Sequence, residues 1–245
     1  MKRGGPQVIP RPSDAIVGGP PPWAELAPED RRISLAGLRQ AFTGRVGLPS
    51  YVESVADTVI GASAVLAPFY DIDGELYVVL TRRGWGLRSH TGEVSFPGGR
   101  RDEGETLVEA ALREAQEEVA LEPNAVEVLG ELDHLMTVTS RSFIVPFVGL
   151  VVGKPELIAN PHEVDAVLHV PVAELLLDGV FREERWTFAT RPPWASPDAV
   201  DAGGPVERSI FFFELMGDTI WGATAAMLRH LLGLALGLDV GIDHV

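Results

Sequence analysis

The sequence predicts an α/β fold with a mixed β-sheet held between helices. Three observations support this. Strand-like apolar segments recur along the chain, only a few stretches carry helical periodicity, and the two kinds are interleaved rather than sorted into blocks. No internal repeat stands out. At 245 residues the chain suits one large domain with an extension. Residues 1–50 read as an N-terminal Pro/Gly-rich arm with a short helix, and residues 51–245 as the main domain.

The elements follow in order. The first two dozen residues are rich in Pro and Gly and end in Pro20-Pro21-Pro22-Trp23, which predicts an irregular or mobile arm. Ser34 to Phe42 predicts a short helix with Leu35, Leu38 and Phe42 on one face. Val59 to Phe69 and Leu76 to Thr81 predict strands joined by a turn at Asp71-Ile72-Asp73-Gly74. A Gly-rich loop leads into a helix from about Glu105 to Val119. Val126 to Leu132, Phe143 to Val152 and Val164 to Val170 predict further strands. Pro171 to Leu177 predicts a short helix with Pro at its start. Arg191 to Pro205 reads as a loop, Arg208 to Leu215 as a Phe-rich strand, and Ala223 to Leu236 as a closing amphipathic helix.

The helix near Glu105 carries the chemistry. Gly99 is followed after five residues by Glu105, and after seven more by Arg113-Glu114-Ala115-Gln116-Glu117-Glu118-Val119-Ala120-Leu121. Glu114, Glu117 and Glu118 stand at i, i+3 and i+4, so they share an arc of roughly 100°. Val108, Leu112, Ala115 and Val119 fall on a narrower arc away from it, a stripe suited to a core. Clustered carboxylates repel one another unless a cation sits among them, and hard oxygen ligands suit Mg²⁺ or Mn²⁺. A solvated acidic face is the alternative.

Just upstream, Leu80-Thr81-Arg82-Arg83-Gly84-Trp85-Gly86-Leu87-Arg88 brings arginines together on a Gly-punctuated segment. Arg suits bidentate phosphate contacts, and backbone N–H groups near Gly can approach an anion. This positive patch stands out in a chain of net charge −15, which argues against general nucleic-acid binding and against docking on anionic membranes. There is no Cys, so thiol catalysis and thiolate metal sites are excluded. The six His show no ligand spacing, which disfavours zinc. No run of 18 apolar residues and no apolar leader is present, so no membrane span and a cytoplasmic location are expected.

The Gly99–Leu121 segment resembles the Nudix box. That pattern is Gly, five residues, Glu, seven residues, Arg-Glu-U-x-Glu-Glu-x-Gly-U, with U a bulky aliphatic. Gly99, Glu105, Arg113, Glu114, Glu117, Glu118 and Leu121 match. Ala115 is small for U, and Ala120 replaces a Gly favoured at helix exits. Ala120 implies a changed exit or about 1 kcal/mol of strain. The resemblance implies a Nudix fold, an α/β/α sandwich over roughly Thr58 to Leu236, and hydrolysis of a diphosphate.

The preceding segment looks like the signature of the coenzyme A pyrophosphatase branch of that family. Leu80, Thr81, Arg83, Arg88, Gly92, Phe96, Pro97, Gly98, Gly99 and Asp102 fit, while Val79 and Gly84 depart from it. The resemblance assigns Glu114, Glu117 and Glu118 to metal, with the Gly99 carbonyl as a further ligand. Arg83, Arg88, Gly98 and Gly99 are the substrate-binding candidates. One of Glu114, Glu117 and Glu118 is a candidate general base, and so is Glu163, because Nudix enzymes often draw one from a late loop. Glu105 and Arg113 are expected to orient the catalytic group. The implied substrate is a small nucleoside diphosphate derivative: coenzyme A or its thioesters first, with ADP-ribose, NADH or a dinucleoside polyphosphate as alternatives. A non-catalytic Nudix-fold binding protein is the competing class, and a homodimer is left open.

Overall fold

A computed structural model of the chain describes residues 3–48, 62–86, 90–137, 143–188 and 205–242. In chain order the elements are β1 (Ile16–Val17), α1 (Leu35–Phe42), β2 (Ala62–Ile72), β3 (Glu75–Arg83), β4 (Val94–Ser95), β5 (Gly98–Arg100), α2 (Leu107–Val119), β6 (Val126–Glu131), β7 (Leu135–Met136), β8 (Phe143–Val151), β9 (Val164–Pro171), α3 (Val172–Leu175), β10 (Phe181–Phe188), β11 (Val206–Glu214), β12 (Thr219–Trp221) and α4 (Gly222–Ala235).

The central strands are apolar on both faces, and alternation along them builds two cores. Ala64, Leu66 and Tyr70 of β2, Val79 of β3, and Val145 and Phe147 of β8 pack with α2. Ala67 and Phe69 of β2, Val78 and Leu80 of β3, and Val148 and Leu150 of β8 face the opposite core, shared with α1 and α4. The sheet between them runs β4-β3-β2-β8-β6, with β5 and β8 both on β2, β7 on β8 and β9 on β3. Within it β2 and β8 pair in parallel and the other pairs are antiparallel. The expected mixed sheet is therefore present. The β2–β3 connection is a two-residue turn in which Asp73 (φ 54°) and Gly74 (φ 84°) are both left-handed, the geometry that an Asp-Gly pair favours.

The layer beside α1 and α4 holds more than helices. A second sheet, β1-β10-β11-β12, is antiparallel throughout and was not expected. Its strand β10 reads Phe-Arg-Glu-Glu-Arg-Trp-Thr-Phe, too charged to look like a strand. The charges are paired laterally. Arg182 bonds Glu214 at 2.8 Å and also Glu184, and its guanidinium lies 3.6 Å from the centre of the Phe212 ring. Glu184, buried, also accepts the Trp186 indole N–H at 2.8 Å.

The N-terminal segment is largely irregular in backbone, as expected, and it is docked on the second sheet and its core. Trp23 is 1% exposed and stacks on Phe213 and edge-on to Phe181. Leu38 and Phe42 of α1 are fully buried in the same core. Ile16 and Val17 extend the second sheet by pairing with Arg185 and Glu184. The expected division after residue 50, the first residues of the Val59–Phe69 strand and nearly all of the Arg191–Pro205 loop lie outside the described residues. Among the described residues no helix is long and apolar enough to cross a membrane.

Candidate active site

The ends of α2 place its carboxylates. At the start, the Thr106 hydroxyl accepts the Glu109 N–H at 3.3 Å, and the Glu109 carboxylate accepts the Thr106 N–H at 2.7 Å. This capping box was readable as Thr-x-x-Glu in the sequence. At the exit Ala120 is left-handed (φ 56°, ψ 30°), and its N–H reaches the Gln116 carbonyl at 2.9 Å. The Leu121 N–H returns to the Ala115 carbonyl at 3.3 Å. Two more carbonyls of the last turn are taken by the loop after β8. Asn160 N–H donates to Glu118 O at 2.8 Å, and Ile158 N–H to Val119 O at 3.0 Å. The same loop carries Glu163, whose carbonyl accepts the Gly84 N–H at 2.8 Å. Glu163 is thus fastened between the end of α2 and the end of β3, and its own side chain is exposed. Sequence reasoning did not single out Asn160, although Asn160-Pro161 is a turn signal.

The core stripe of α2 differs from the expected one. Val108 and Leu112 are only partly buried, and Ala110 and Ala111 join Ala115 and Val119 in the interior. Alanine brings the helix backbone close to β2 and β5 and carries the carboxylates in with it. Their shared arc spans a gradient. The Glu117 side chain is 57% exposed, Glu114 17% and Glu118 5%.

Glu118 points inward. It receives a hydrogen bond from the Gly98 N–H, and Arg83 Nη1 stands 3.9 Å from its Oε1. Its Oε2 is buried with no hydrogen-bond partner. Burial pushes its carboxyl up to about 8, against the pull of Arg83 and the Gly98 N–H, and the charges of Glu114 and Glu163 add to the rise. Glu114 lies over Gly99 so closely that a Cβ there would overlap its carboxylate. Burial also raises the Glu114 carboxyl, with Arg113 opposing and Glu117 and Glu163 reinforcing.

Arg113 organises the outer side. Its Nε and Nη2 grip Glu105 at 3.1 and 2.9 Å. Its Nη1 donates to Glu114 and to Glu117, each at 3.1 Å, and Nη2 also reaches the Arg100 carbonyl at 3.0 Å. The Arg113 bonds hold the Glu105 carboxyl below its ordinary value, helped by the Asp102 N–H at 2.7 Å. Among the described residues no three His, Cys, Asp or Glu side chains are already gathered as a ligand cluster. The donor set nevertheless fits a divalent cation. A buried carboxylate oxygen lacks a partner, and two further carboxylates stand near enough to raise its proton affinity.

The two neighbouring arginines part ways, as alternation along β3 requires. Arg82 is committed to scaffold pairs with Asp165 (3.1 Å) and Asp218 (3.4 Å). Arg83 faces the carboxylates, and its Nε is buried with no hydrogen-bond partner. Arg88 lies outside the described residues. His90 bonds Glu93 at 2.8 Å within its own loop. Glu105, Arg113, Glu114, Glu117, Glu118, Glu163, Gly98, Gly99 and Arg83 are therefore brought together from α2 and the loop before it, β5, β3 and the β8–β9 loop.

Comparison with known proteins places the chain in a family. A family model described as NUDIX domain matches residues 61–191, more than half of the chain. Nudix hydrolase 3 of Caenorhabditis elegans is 35% identical over 180 residues, covering 71% of this chain and 72% of its own length. The Nudix hydrolase NudL of Yersinia enterocolitica is 36% identical over 170 residues, covering 69% of this chain and 78% of its own length. Among solved structures, a MutT/nudix family protein from Enterococcus faecalis superposes with a TM-score of 0.42 at 18% identity, over 72% of this chain and 60% of that one. The family typically uses divalent metals. Since the matched residues are those that carry the carboxylate helix and its glycine cradle, the chain belongs to the Nudix family of hydrolases, enzymes that cleave diphosphate linkages.

Proposed function

We propose that this Nudix hydrolase cleaves coenzyme A, or its thioesters, to 3′-phosphoadenosine 5′-phosphate and 4′-phosphopantetheine, using Mg²⁺ or Mn²⁺. The observation that carries the reading is Arg83. It stands at signature spacing from Phe96-Pro97-Gly98-Gly99, its Nη1 lies 3.9 Å from the Glu118 carboxylate, and its Nε–H is buried without a hydrogen-bond partner. A cation with an unused donor beside an acidic helix is suited to an anionic ligand that brings its own counterions.

Each residue has a role in this reading. Glu114, Glu117 and Glu118 would hold the metal, with the Gly99 carbonyl as a further oxygen ligand. Bound divalent ions supply charge neutralisation at the non-bridging phosphate oxygens and a lowered water pKa. Glu105 orients Arg113, and Arg113 holds Glu114 and Glu117 apart from free rotation. Glu163 or one of the helix carboxylates takes the proton from the attacking water. Arg83 and Arg88 contact phosphate, and the close-packed Gly98–Gly99 backbone borders the substrate. The substrate is a small molecule.

Product analysis tests the reading. Purified protein is incubated with coenzyme A, acetyl-coenzyme A, ADP-ribose, NADH and a dinucleoside polyphosphate, each with Mg²⁺ or Mn²⁺. The two coenzyme A species are expected to give the highest kcat/KM, with release of 3′-phosphoadenosine 5′-phosphate. Preference for ADP-ribose or NADH overturns the substrate while leaving the carboxylate helix in place. Binding without metal-dependent turnover of any of them returns the chain to the non-catalytic class.

A further inference from the structure

We propose that Gln7 is a positioning residue for residues 91–93, which lead into β4 beside Arg83, joining the N-terminal segment to substrate binding. The Gln7 side chain amide is buried, and each polar atom is engaged. Its Nε2 donates to the Asp218 carboxylate at 2.8 Å and to the Gly92 carbonyl at 3.1 Å. Its Oε1 accepts the Thr219 N–H at 2.9 Å. A primary amide is the side-chain group that meets a carboxylate, a carbonyl and an N–H together without carrying charge. Glutamate would repel Asp218, and lysine has nothing to offer the Thr219 N–H.

The residues around it make this contact a strut. On one side the segment is tied to the β11–β12 turn. Gly4 N–H donates to the Leu215 carbonyl at 2.7 Å, and Gly5 N–H to the Thr219 hydroxyl at 3.1 Å. On the other side Gly92 stands against the Trp85 indole, and its neighbour Glu93 accepts the Arg83 N–H at 2.9 Å. Asp218, held by Gln7, also pairs with Arg82. The Gln7 amide therefore fixes the return limb of the loop that carries Trp85 and frames Arg83. A buried amide is costly unless its hydrogen bonds are all made, so this geometry is specified narrowly. Gln7 touches none of the α2 carboxylates and is expected to act on substrate binding rather than on the chemical step.

The test uses the full chain with Gln7→Met, which keeps volume and removes the hydrogen bonds. Its kinetic arm rests on the proposed turnover of coenzyme A, and its exchange arm does not. In the metal-free protein without substrate, amide hydrogen exchange at residues 91–95 is expected to speed up about tenfold, with α2 unchanged, the effect of losing about one neutral hydrogen bond. With coenzyme A and Mg²⁺, KM is expected to rise about threefold to tenfold with kcat within about twofold. Unchanged exchange at 91–95 overturns the strut whatever the substrate proves to be. Faster exchange with unchanged KM, or a loss confined to kcat, overturns the link to substrate binding. If the Met variant does not fold, Gln7→Asn is measured instead. It keeps the amide but is too short to span Asp218 and Gly92, and the same outcomes decide. Failure of wild-type turnover on coenzyme A counts against the substrate reading alone, since exchange still judges the strut.

Discussion

A carboxylate taken out of water next to other carboxylates holds its proton well above the usual range, and Glu118 shows this in the metal-free protein. Its folded carboxyl is pushed up to about 8 by burial, against an ordinary value of 4.5. A group raised in the folded state contributes stability that is complete below the ordinary value and lost as pH climbs through the raised one. Glu118→Gln should therefore melt above wild type at about pH 9 without metal, by on the order of a few kcal/mol, and the gap should close near pH 5. The same variant should lose turnover by a factor on the order of 10². Glu117→Gln, on the exposed side, should lose turnover similarly without the gain in melting temperature. Calorimetry at both pH values checks this, and equal melting of Glu118→Gln and wild type at high pH refutes it. Arg83 gives a second test. Its Nη1 stands 3.9 Å from Glu118, so it is expected to read the diphosphate rather than a distal 3′-phosphate. Arg83→Ala should lower kcat/KM by about 1.5–3 kcal/mol equivalent on both coenzyme A and dephospho-coenzyme A. A clearly smaller loss on dephospho-coenzyme A reassigns Arg83 to the 3′-phosphate. The carboxylates of α2 were legible because i, i+3 and i+4 contacts are local. The family signature already favoured Arg83 over Arg82, and the strand's alternation and the distant partners Asp165 and Asp218 give the physical reason. Glu163 needed the backbone ties of Asn160 to reach the site.

At the level of elements, α2 stores strain at its exit. Ala120 holds φ 56° with an exposed side chain, so a Gly there removes the left-handed penalty without opening a cavity. Ala120→Gly is expected to raise stability by about 1 kcal/mol, after the larger chain entropy of unfolded Gly is set against the relief. A chemical-denaturation midpoint measures this, and a lower midpoint than wild type refutes the strained exit. This strain was foreseeable because the family pattern has Gly at that position. The strands of the mixed sheet were legible for a different reason: they are buried on both faces and read as apolar runs, as in Ala62–Ile72 and Phe143–Val151. β10 was not, because its burial is offset by ion pairs that depend on Glu214 and Arg11, far away in sequence. Half of the core stripe of α2 was misread, because the large aliphatics Val108 and Leu112 were favoured over Ala110 and Ala111, while Ala115 and Val119 are buried as expected.

For the whole molecule, residues 3–48 share the core of the rest. Trp23 packs between Phe181 and Phe213, and both belong to the second sheet region reached late in the chain. Trp23→Ala is expected to destabilise by about 3–5 kcal/mol, the usual cost of emptying a buried aromatic site. Thermal melting checks it, and an unchanged melting temperature would mean that the segment is peripheral. Pro-rich composition pointed to a loose arm because such segments lack local order. Their docking depends on an apolar anchor and on partners that no local pattern reveals. The tie between Gln7 and Thr219 also has a consequence for biosynthesis. At roughly 5–20 residues per second, the 212 positions that separate them take about 10–40 s to translate. Throughout that interval residues 4–7 have no β11–β12 turn to hold them, and Trp23 has no Phe213. This segment therefore docks only late in synthesis, and a nascent chain halted before Val206 should leave Trp23 open to chaperones and proteases.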